Sequence, residues 1–243
     1  MEEGEGYVLV TGASRGVGAG AALELARSGF DLVLWARTGG ELAKTAERCR
    51  AFGVDARTAI VDVSNEASVN EAGAASLVDL DSLRGCVVNA GIGIWGTVTE
   101  TKPDEWRAVM STNLDGAFYT MKACLPLIER HDRGQIVIMG SDSGRFGFAG
   151  RAAYCASKWG LNGFVESLRR ETRSSGIRIT NLTMSRVDTF FRTKQPGDRP
   201  SSLSIQEISE VVRLVFLVPA RVEMRELQLS SINDTFGPYP EQN

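Results

Sequence analysis

Short apolar runs alternate with helical patterns along this 243-residue chain. The first four runs are almost continuously apolar, which is typical of parallel strands covered on both faces of a sheet, whereas the last run alternates. The runs lie at 7–13, 31–37, 58–63, 85–91, 134–141, 177–185 and 224–230. Their regular alternation with helices predicts an α/β fold, namely one doubly wound Rossmann-type domain over 1–243. Its parallel sheet should have about seven strands flanked by helices.

The helical patterns between the runs have recognisable ends. Gly29 and Gly53 follow two of them as stop signals, Pro103 suits the first turn of a third, and Pro126 should kink or break the end of that helix. The predicted helices cover 17–28, 40–52, 103–130, 154–171 and the surroundings of 208–215. The polar stretch 192–204 carries Pro and Gly, so we expect a mobile substrate loop at about 190–206.

Charge and composition exclude several classes of function. The formal net charge is −3, and no long Lys/Arg run is present, so neither nucleic acid nor a membrane surface is an expected partner. The acidic start does not resemble a signal peptide, and we expect a cytoplasmic protein. The wide cysteine spacing predicts free thiols and no metal site. These cysteines are Cys49, Cys86, Cys124 and Cys155.

A glycine-rich turn, "TGASRGVG" at 11–18, follows the first run and opens the first helix. Gly12, Gly16 and Gly18 would let the backbone approach a pyrophosphate closely, and the helix N-terminus would supply amide donors and positive potential. A plain tight turn between strand and helix is the alternative. The strand–turn–helix context favours a dinucleotide site.

Tyr154 stands four residues before Lys158 in "AAYCASKWG", so the two share one helix face. A free phenol has a pKa of about 10 and holds its proton tightly near pH 7. A neighbouring ammonium would stabilise the phenolate and lower that pKa. The pair therefore suits a proton-transfer device.

At this point the chain resembles the classical short-chain dehydrogenases/reductases, over roughly 7–190. The resemblance rests on motifs in the family's order: "TGASRGVG", Asp62 with Val63, "NAG" at 89–91, "STNLDG", "MGSDSG" and the Tyr–Lys pair. It implies a catalytic tetrad and a nicotinamide cofactor. The implied tetrad is Asn113, Ser141, Tyr154 and Lys158. The cofactor contacts are expected at Gly12, Ser14, Arg15, Gly16, Val17, Gly18, Arg37, Asp62, Val63, Asn89, Ala90, Gly91, Tyr154, Lys158, Val187 and Thr189.

The resemblance also implies roles for these residues. Tyr154 should be the general acid in carbonyl reduction and the general base in alcohol oxidation. Ser141 should hydrogen-bond the substrate oxygen, Lys158 should hold the nicotinamide ribose, and Asn113 should join a water relay to the lysine. Asp62 with Val63 would contact adenine, and the segment with Val187 and Thr189 would hold the carboxamide. Ser143 competes with Ser141, but the thirteen-residue separation from Tyr154 favours Ser141.

Two positions depart from the family pattern. Val88 replaces the first of two asparagines before Ala-Gly, which affects strand support more than chemistry. Met184 and Ser185 replace the family's Pro-Gly after the sixth strand, which leaves the backbone path towards Val187 open.

The cofactor preference is predicted from charge. Arg15 lies in the glycine turn, Arg37 follows the second strand, and Ala36 stands where relatives that prefer NAD place a carboxylate. Two guanidinium groups and no acid favour the 2′-phosphate of NADP(H).

Each site residue also has a structural interpretation, such as a core aromatic for Tyr154 or a strand-end turn for Ser141. Convergence of the four positions on one site favours catalysis. A serine hydrolase is disfavoured because the chain has one histidine, His131, and it lies in a polar segment. The alternative function is a dinucleotide-binding regulator or scaffold of the same fold without turnover.

The expected substrate is a small, moderately apolar ketone or aldehyde, or the corresponding alcohol. The expected pocket walls are 94–95, 145–151 and the segment that starts at Phe190. Their aromatic residues are Trp95, Phe146, Phe148, Phe190 and Phe191. By the resemblance, a homodimer or homotetramer would form through the helices at 103–130 and 154–173.

Overall fold

A seven-stranded parallel sheet forms the centre of the molecule in the computed structural model, which describes residues 4–233. Its order is β3-β2-β1-β4-β5-β6-β9, and every neighbouring pair is parallel. The sheet strands are β1 (Tyr7–Thr11), β2 (Asp31–Ala36), β3 (Ala56–Ile60), β4 (Gly85–Val88), β5 (Gln135–Met139), β6 (Arg178–Met184) and β9 (Glu226–Leu229). A separate two-residue pair joins β7 (Val187–Asp188) to β8 (Leu203–Ser204). The predicted doubly wound Rossmann-type fold is confirmed.

Helices connect the strands and cover both faces of the sheet. They are α1 (Gly16–Arg27), α2 (Gly39–Arg50), α3 (Glu66–Ser76), α4 (Pro103–Met110), α5 (Gly116–Ile128), α6 (Ala152–Glu171) and α7 (Ile205–Leu217). A π-helical turn, Ser111–Asp115, joins α4 to α5, so the long helix predicted from Pro103 contains a local irregularity at its middle. The helix passes Pro126 and ends at Ile128. None of the helices in the described part of the chain is long and apolar enough to cross a membrane.

Two hydrophobic clusters pack on the two faces of the sheet. Alternate residues of a strand point to opposite faces, so Val8 and Leu32 belong to one cluster while Leu9 and Val33 belong to the other. All four side chains are fully buried. Burial of each such side chain stabilises the fold by about 1.5–3 kcal/mol relative to exposure, which explains why β1 and β2 are mostly apolar.

The strand order reverses direction between β1 and β4, because the chain winds from β1 to β2 on one side and to β4 on the other. In doubly wound sheets a crevice opens at this point, beyond the carboxyl ends of the strands. Thr11 at the end of β1 supports the crevice, since its Oγ1 accepts hydrogen bonds from the main-chain N–H of Asn89 and Ala90 at 3.0 and 3.1 Å. The predicted functional residues should therefore gather here.

Candidate active site

A cleft of about 490 Å³ occupies the crevice at the carboxyl ends of the strands. Most of the sequence-predicted site residues line it, whichever element carries them. These are Gly12, Ser14, Arg15, Gly16, Val17, Arg37, Asp62, Val63, Asn89, Ala90, Gly91, Ser141, Tyr154, Lys158, Val187 and Thr189. Gly18 and Asn113 lie behind this lining and support it, as described below.

The glycine turn has the backbone that its composition predicts. Gly12 and Gly16 have φ angles of +67° and +61°, a conformation that L side chains rarely adopt. A Cβ on Gly18 would come within 2.4 Å of the Gly12 carbonyl oxygen, so this glycine permits the close packing of α1 on the turn. Asn89 fixes the same turn from β4, because its Nδ2 donates to the Thr11 carbonyl oxygen at 3.0 Å.

The first residues of α1 line the half of the cleft that the resemblance assigns to the adenosine of a cofactor. Its N-cap residue, Arg15, makes no side-chain capping hydrogen bond, so the side chain does not satisfy the donors of the first turn. Arg15 instead places its guanidinium 5.6 Å from the centroid of the Phe190 ring. Arg37 is exposed at the end of β2 and lines the same half of the cleft. Uncapped amides, a close backbone and two guanidinium groups suit a phosphorylated dinucleotide.

Asp62 and Val63 follow β3 at the same end of the cleft. Asp62 Oδ1 accepts hydrogen bonds from the Ser64 main-chain N–H at 3.0 Å and from the Ser64 hydroxyl at 2.7 Å. Val63 is buried against α5, where a Cβ on Gly116 would meet it within 3.2 Å. Both residues are therefore held rigidly where the resemblance places the adenine.

Tyr154 lies at the other end of the cleft, beside Ser141. Burial raises the pKa of Tyr154 to about 12, although a hydrogen bond with Ser141 and the charge of Arg151 act in the opposite direction. The Ser141 hydroxyl oxygen also accepts the main-chain N–H of Ser143 at 3.2 Å. Of the two competing serines, Ser141 is thus the one in contact with the phenol. At neutral pH the phenol carries its proton, as a general acid must.

Lys158 is buried one helical turn beyond Tyr154. Its Nζ donates to the Met139 carbonyl oxygen at 2.8 Å and lies 5.9 Å from the centroid of the Tyr154 ring. Burial lowers the pKa of Lys158 to about 8. In this structure burial is the largest influence on the pKa of Tyr154, and the ammonium donates to β5. The expected lowering of that pKa by Lys158 together with a bound oxidised nicotinamide stays a prediction.

Asn113 lies in the π-helical turn and does not line the cleft. Its Oδ1 accepts the main-chain N–H of Ile92 at 2.8 Å, and its Nδ2 donates to the Ile92 carbonyl oxygen and to the Ser157 hydroxyl, both at 3.0 Å. The side-chain amide is therefore committed to protein partners. It positions the segment after β4 against α6. The water relay that the resemblance implies for Asn113 stays a prediction.

The segment after β6 keeps its place despite the Met184–Ser185 departure. Ser185 continues the pairing with β9, since its N–H donates to the Leu229 carbonyl oxygen at 2.9 Å. A Cβ on Gly16 would lie 2.7 Å from Thr189 Oγ1. Val187 and Thr189 thus reach the cleft directly beside the glycine turn.

Aromatic rings form the wall around Tyr154. The Trp95 and Phe191 rings lie 5.0 and 5.8 Å from the Tyr154 ring, measured between centroids. Phe148 and Phe190 also line the cleft. Phe146, predicted as a wall residue, is not among the lining residues, because its side chain points outward and is 38% exposed.

Arginines in the same region were missed by the sequence reasoning as functional residues. Arg151, Arg186, Arg192 and Arg199 line the cleft, and the guanidinium groups of Arg151 and Arg192 lie over the Trp95 ring. They come from the start of α6 and from the segment between β6 and α7, so no local spacing in the sequence brings them together. The signal that could have drawn attention to them was the arginine content of the predicted loop.

The fold and the site together define a dinucleotide-binding α/β protein with a Tyr–Lys pair and a serine at the end of its cleft. A family model described as short chain dehydrogenase matches residues 6–199, and the chain belongs to this family.

Relatives and solved structures agree with this assignment. The chain is 32% identical over 231 residues to sepiapterin reductase of Chlorobaculum tepidum, covering 91% of this chain and 94% of that protein. It is 36% identical over 199 residues to 3-oxoacyl-acyl-carrier-protein reductase FabG of Pseudomonas aeruginosa, covering 80% and 79%. An alcohol dehydrogenase of Thermococcus sibiricus, solved with 5-hydroxy-NADP, matches with a TM-score of 0.90 at 30% identity, covering 98% and 99% of the two chains.

Proposed function

We propose that this protein is an NADP(H)-dependent oxidoreductase that interconverts a carbonyl compound and its alcohol by hydride transfer, with Tyr154 as general acid/base. One observation carries the proposal: a single cleft joins an uncapped helix N-terminus with Arg15 and Arg37 to a Tyr154–Ser141 pair. The first end suits a phosphorylated dinucleotide, and the second suits proton transfer to a substrate oxygen.

The residues of this chain have separate tasks in the proposed reaction. The cofactor, when bound, supplies or accepts the hydride. The glycine turn, the α1 amides and Lys158 would hold it, and its carboxamide end would lie near Val187 and Thr189. The Tyr154 phenol donates its proton to the developing alkoxide in reduction and takes it back in oxidation. The Ser141 hydroxyl hydrogen-bonds the same oxygen, and the Lys158 ammonium adds positive charge nearby.

The relatives support this reaction class. Two of them are named as reductases, and a metagenomic short-chain oxidoreductase solved with NADP matches with a TM-score of 0.80 at 30% identity over 92% of this chain. A regulator that only binds a dinucleotide would have no use for a proton donor beside a serine in the same cleft. The Tyr154–Ser141 contact therefore favours turnover over the alternative function.

A carbonyl panel followed by NADPH absorbance tests the proposal. Turnover of at least one ketone or aldehyde is expected, with loss of activity in Tyr154→Phe. Stopped-flow mixing of saturating protein with NADPH and carbonyl would reveal even a single turnover. Tight cofactor binding without any oxidation of NADPH across the panel would refute the enzyme and favour the regulator.

We also propose that the protein is a cytoplasmic homodimer or homotetramer that assembles through α4, α5 and α6. Trp106, Phe118 and Trp159 are exposed on these helices at 40%, 47% and 54%. Exposed aromatic side chains are enriched at protein–protein interfaces. Light scattering of the purified protein should give a mass of two or four chains, and Phe118→Asp should reduce it.

A further inference from the structure

The cleft is cationic although the chain as a whole is acidic. Among the described lining residues, six arginines and one lysine face two aspartates, Asp62 and Asp142. The formal net charge of the chain is −3. Arg15 and Arg37 lie at the adenosine end, which leaves four arginines around the substrate end. A nicotinamide dinucleotide reacting with a neutral carbonyl would not need this second group of charges.

Aromatic rings hold two of these guanidinium groups in place. The Arg151 guanidinium carbon lies 4.9 Å from the centroid of the Trp95 ring and 5.0 Å from that of Phe148, and Arg192 lies 4.8 Å from Trp95. Trp95 itself contacts the Tyr154 ring at 5.0 Å. Stacking on aromatic faces restricts the orientation of a guanidinium group. Both guanidinium groups therefore contact a ring, Trp95, that itself contacts the proton donor Tyr154.

The four arginines repel one another in the substrate half of the cleft. Burial lowers the pKa of Arg151, and the charges of Arg192 and Arg199 lower it further. Arg199 is affected in the same way by Arg186 and Arg192, while Asp188 and Asp198 partly compensate it. Both Asp188 oxygens accept main-chain N–H groups, of Gly197 at 2.6 Å and of Arg199 at 3.1 Å. Asp188 thus shapes the loop as well as balancing its charge.

The backbone of Arg192 adopts a conformation that is energetically unfavourable for a residue with a side chain. Its φ angle is +63°, and it is the one non-glycine residue in the described part of the chain with positive φ. A residue other than glycine is disfavoured in this conformation, and such residues cluster at ligand sites. Glycine would fit the backbone better, but it would remove the guanidinium from Trp95.

We infer that the carbonyl substrate carries an anionic oxygen group, a carboxylate or a phosphate, on an apolar stem, and that Arg192 and Arg151 recognise that group beside Trp95. This inference rests on the proposed function, since it names the substrate class of the same site. The aromatic wall would contact the stem, while the reacting carbonyl faces Tyr154 and Ser141. Arg192 is thus a specificity-determining residue.

Calorimetric titration of the protein–NADP⁺ complex tests the inference without requiring turnover. The probes share one ring and differ in charge: phenylacetate, phenyl phosphate and neutral phenylacetamide. At least one anion should bind about tenfold or more tightly than the amide, and the preference should weaken as salt rises. The tighter of the two anions identifies the group. An amide that binds as tightly as both anions overturns the inference.

Variants assign the preference to particular residues. Arg192→Met keeps the apolar stem and should weaken anion binding about tenfold, with amide binding within about twofold of wild type. Arg192→Gly should lose the same preference without loss of thermal stability, which a purely structural residue would not allow. Arg48→Met, exposed on α2, is the matched control and should change nothing. If Arg192→Met weakens NADP⁺ and leaves the anions unchanged, the arginine serves the cofactor and the inference is wrong.

A turnover arm separates this inference from the proposed function. Benzoylformate should be reduced with a higher kcat/KM than its methyl ester. Arg192→Met should lower the ratio of these two kcat/KM values about tenfold. Reduction of the ester alone would keep the proposed function and refute the anionic substrate. If neither compound nor any other carbonyl of the panel is reduced, the proposed function is refuted. The titrations would still decide whether the anion site exists, and they would be repeated without cofactor if NADP⁺ fails to bind.

Discussion

The side-chain amide of Asn113 pairs in both directions with the main chain of Ile92, accepting at 2.8 Å and donating at 3.0 Å. Its second donor reaches the Ser157 hydroxyl, which lies next to Lys158 on α6 and itself donates to the Tyr154 carbonyl oxygen at 2.8 Å. Asn113 thus ties the chain after β4 to the helix that carries the proton donor. The π-helical turn places the Asn113 amide at this junction, and Asn113 is 2% exposed to solvent.

Replacing Asn113 by alanine should therefore lower both stability and turnover. It leaves the buried polar groups of Ile92 without partners, so we expect a loss of about 2 kcal/mol or more in the free energy of unfolding. The kcat should fall more than the affinity for NADPH, because the displaced elements hold Tyr154 and Lys158. Urea unfolding and steady-state kinetics measure the two effects. Ser157→Ala removes one of the three Asn113 bonds together with the bond from Ser157 to the Tyr154 carbonyl oxygen, keeps both Ile92 bonds, and should give a smaller loss in each measurement. Equal stability of wild type and Asn113→Ala would contradict the positioning role.

Tyr154→Phe should reduce kcat by about 10²–10⁴-fold, because the general acid is removed while the ring packing is kept. The Trp95 and Phe191 contacts involve the ring and not the hydroxyl. The melting temperature and the dissociation constant for NADPH should accordingly stay near wild type. Tyr119→Phe on α5 is the matched control and should remain fully active. A near-normal kcat for Tyr154→Phe on an established substrate would refute the acid/base assignment.

Lys158 should make stability depend on pH in the alkaline range. Burial lowers its pKa from 10.5 to about 8, so between these values the unfolded chain keeps a proton that the folded protein has lost. The contribution of Lys158 to folding then becomes more favourable as pH rises from about 8 to 10.5. One pKa unit corresponds to about 1.4 kcal/mol, which gives a change of up to about 3 kcal/mol across this window.

The difference between wild type and Lys158→Met isolates this effect. Cys49 and Tyr154 have pKa values raised by burial to about 11 and about 12, and they act in the opposite direction at alkaline pH. Both are present in both proteins, so their contributions largely cancel. Unfolding free energies at pH 7.5 and pH 10 should show the wild type gaining relative to the variant. An unchanged difference would mean that Lys158 keeps its ordinary pKa in the folded protein.

The fold could be predicted from the sequence because both faces of its sheet are buried. Runs such as 31–37 and 134–141 are continuously apolar for that reason, and the strands appear there with shorter bounds. Helix α3 was missed because "EASVNEAGAAS" is rich in small residues and has only a weak apolar stripe. Its start is fixed instead by Asn65, whose side chain accepts the Ser68 main-chain N–H at 3.2 Å, a local signal that is hard to separate from an ordinary turn.

The site could be predicted from the sequence only where its functional residues lie at a characteristic spacing along the chain. The four-residue interval between Tyr154 and Lys158, and the glycines of 11–18, are of this kind. The pairing of Asn113 with Ile92 depends on how a π-helical turn packs on β4, and the meeting of Arg151 with Arg192 depends on the path of a loop. Neither contact produces a periodic pattern in the amino-acid sequence. The raised pKa of Tyr154 also could not be predicted, because it depends on how completely the neighbouring rings surround it.

The loop after β7 should be mobile without ligand and become ordered on binding cofactor and substrate. Residues 193–198 are exposed, and the described contacts that hold this stretch come mainly from Asp188 and from the β7–β8 pair at its base. Amide hydrogen exchange at 193–198 should be fast in the free protein and slower with NADP⁺ and an anionic ligand. Amides of β5 serve as the internal reference. Equal protection with and without ligand would exclude a closing loop.

The adenosine end of the cleft should prefer NADP(H) over NAD(H). Arg15 and Arg37 both line that end, and Ala36 at the end of β2 presents no carboxylate to a 2′-phosphate. A guanidinium meets a phosphate with forked donors, and each charge-assisted hydrogen bond contributes about 1.5–3 kcal/mol. Because both arginines are partly open to solvent, their combined discrimination should be on the order of 10²-fold and should fall at high salt.

Dissociation constants for NADPH and NADH at moderate salt test this preference directly. Arg37→Ala should weaken NADPH about tenfold or more while leaving NADH nearly unchanged, because only NADPH carries the phosphate that the guanidinium contacts. Adding Ala36→Asp to that variant should improve NADH relative to NADPH, since a carboxylate there would bind ribose hydroxyls and repel the phosphate. Arg48→Ala, on the exposed face of α2, should leave both constants as in wild type. If the wild type binds the two cofactors equally, or NADH more tightly, Arg15 and Arg37 are ordinary surface charges and the selectivity must come from elsewhere in the cleft.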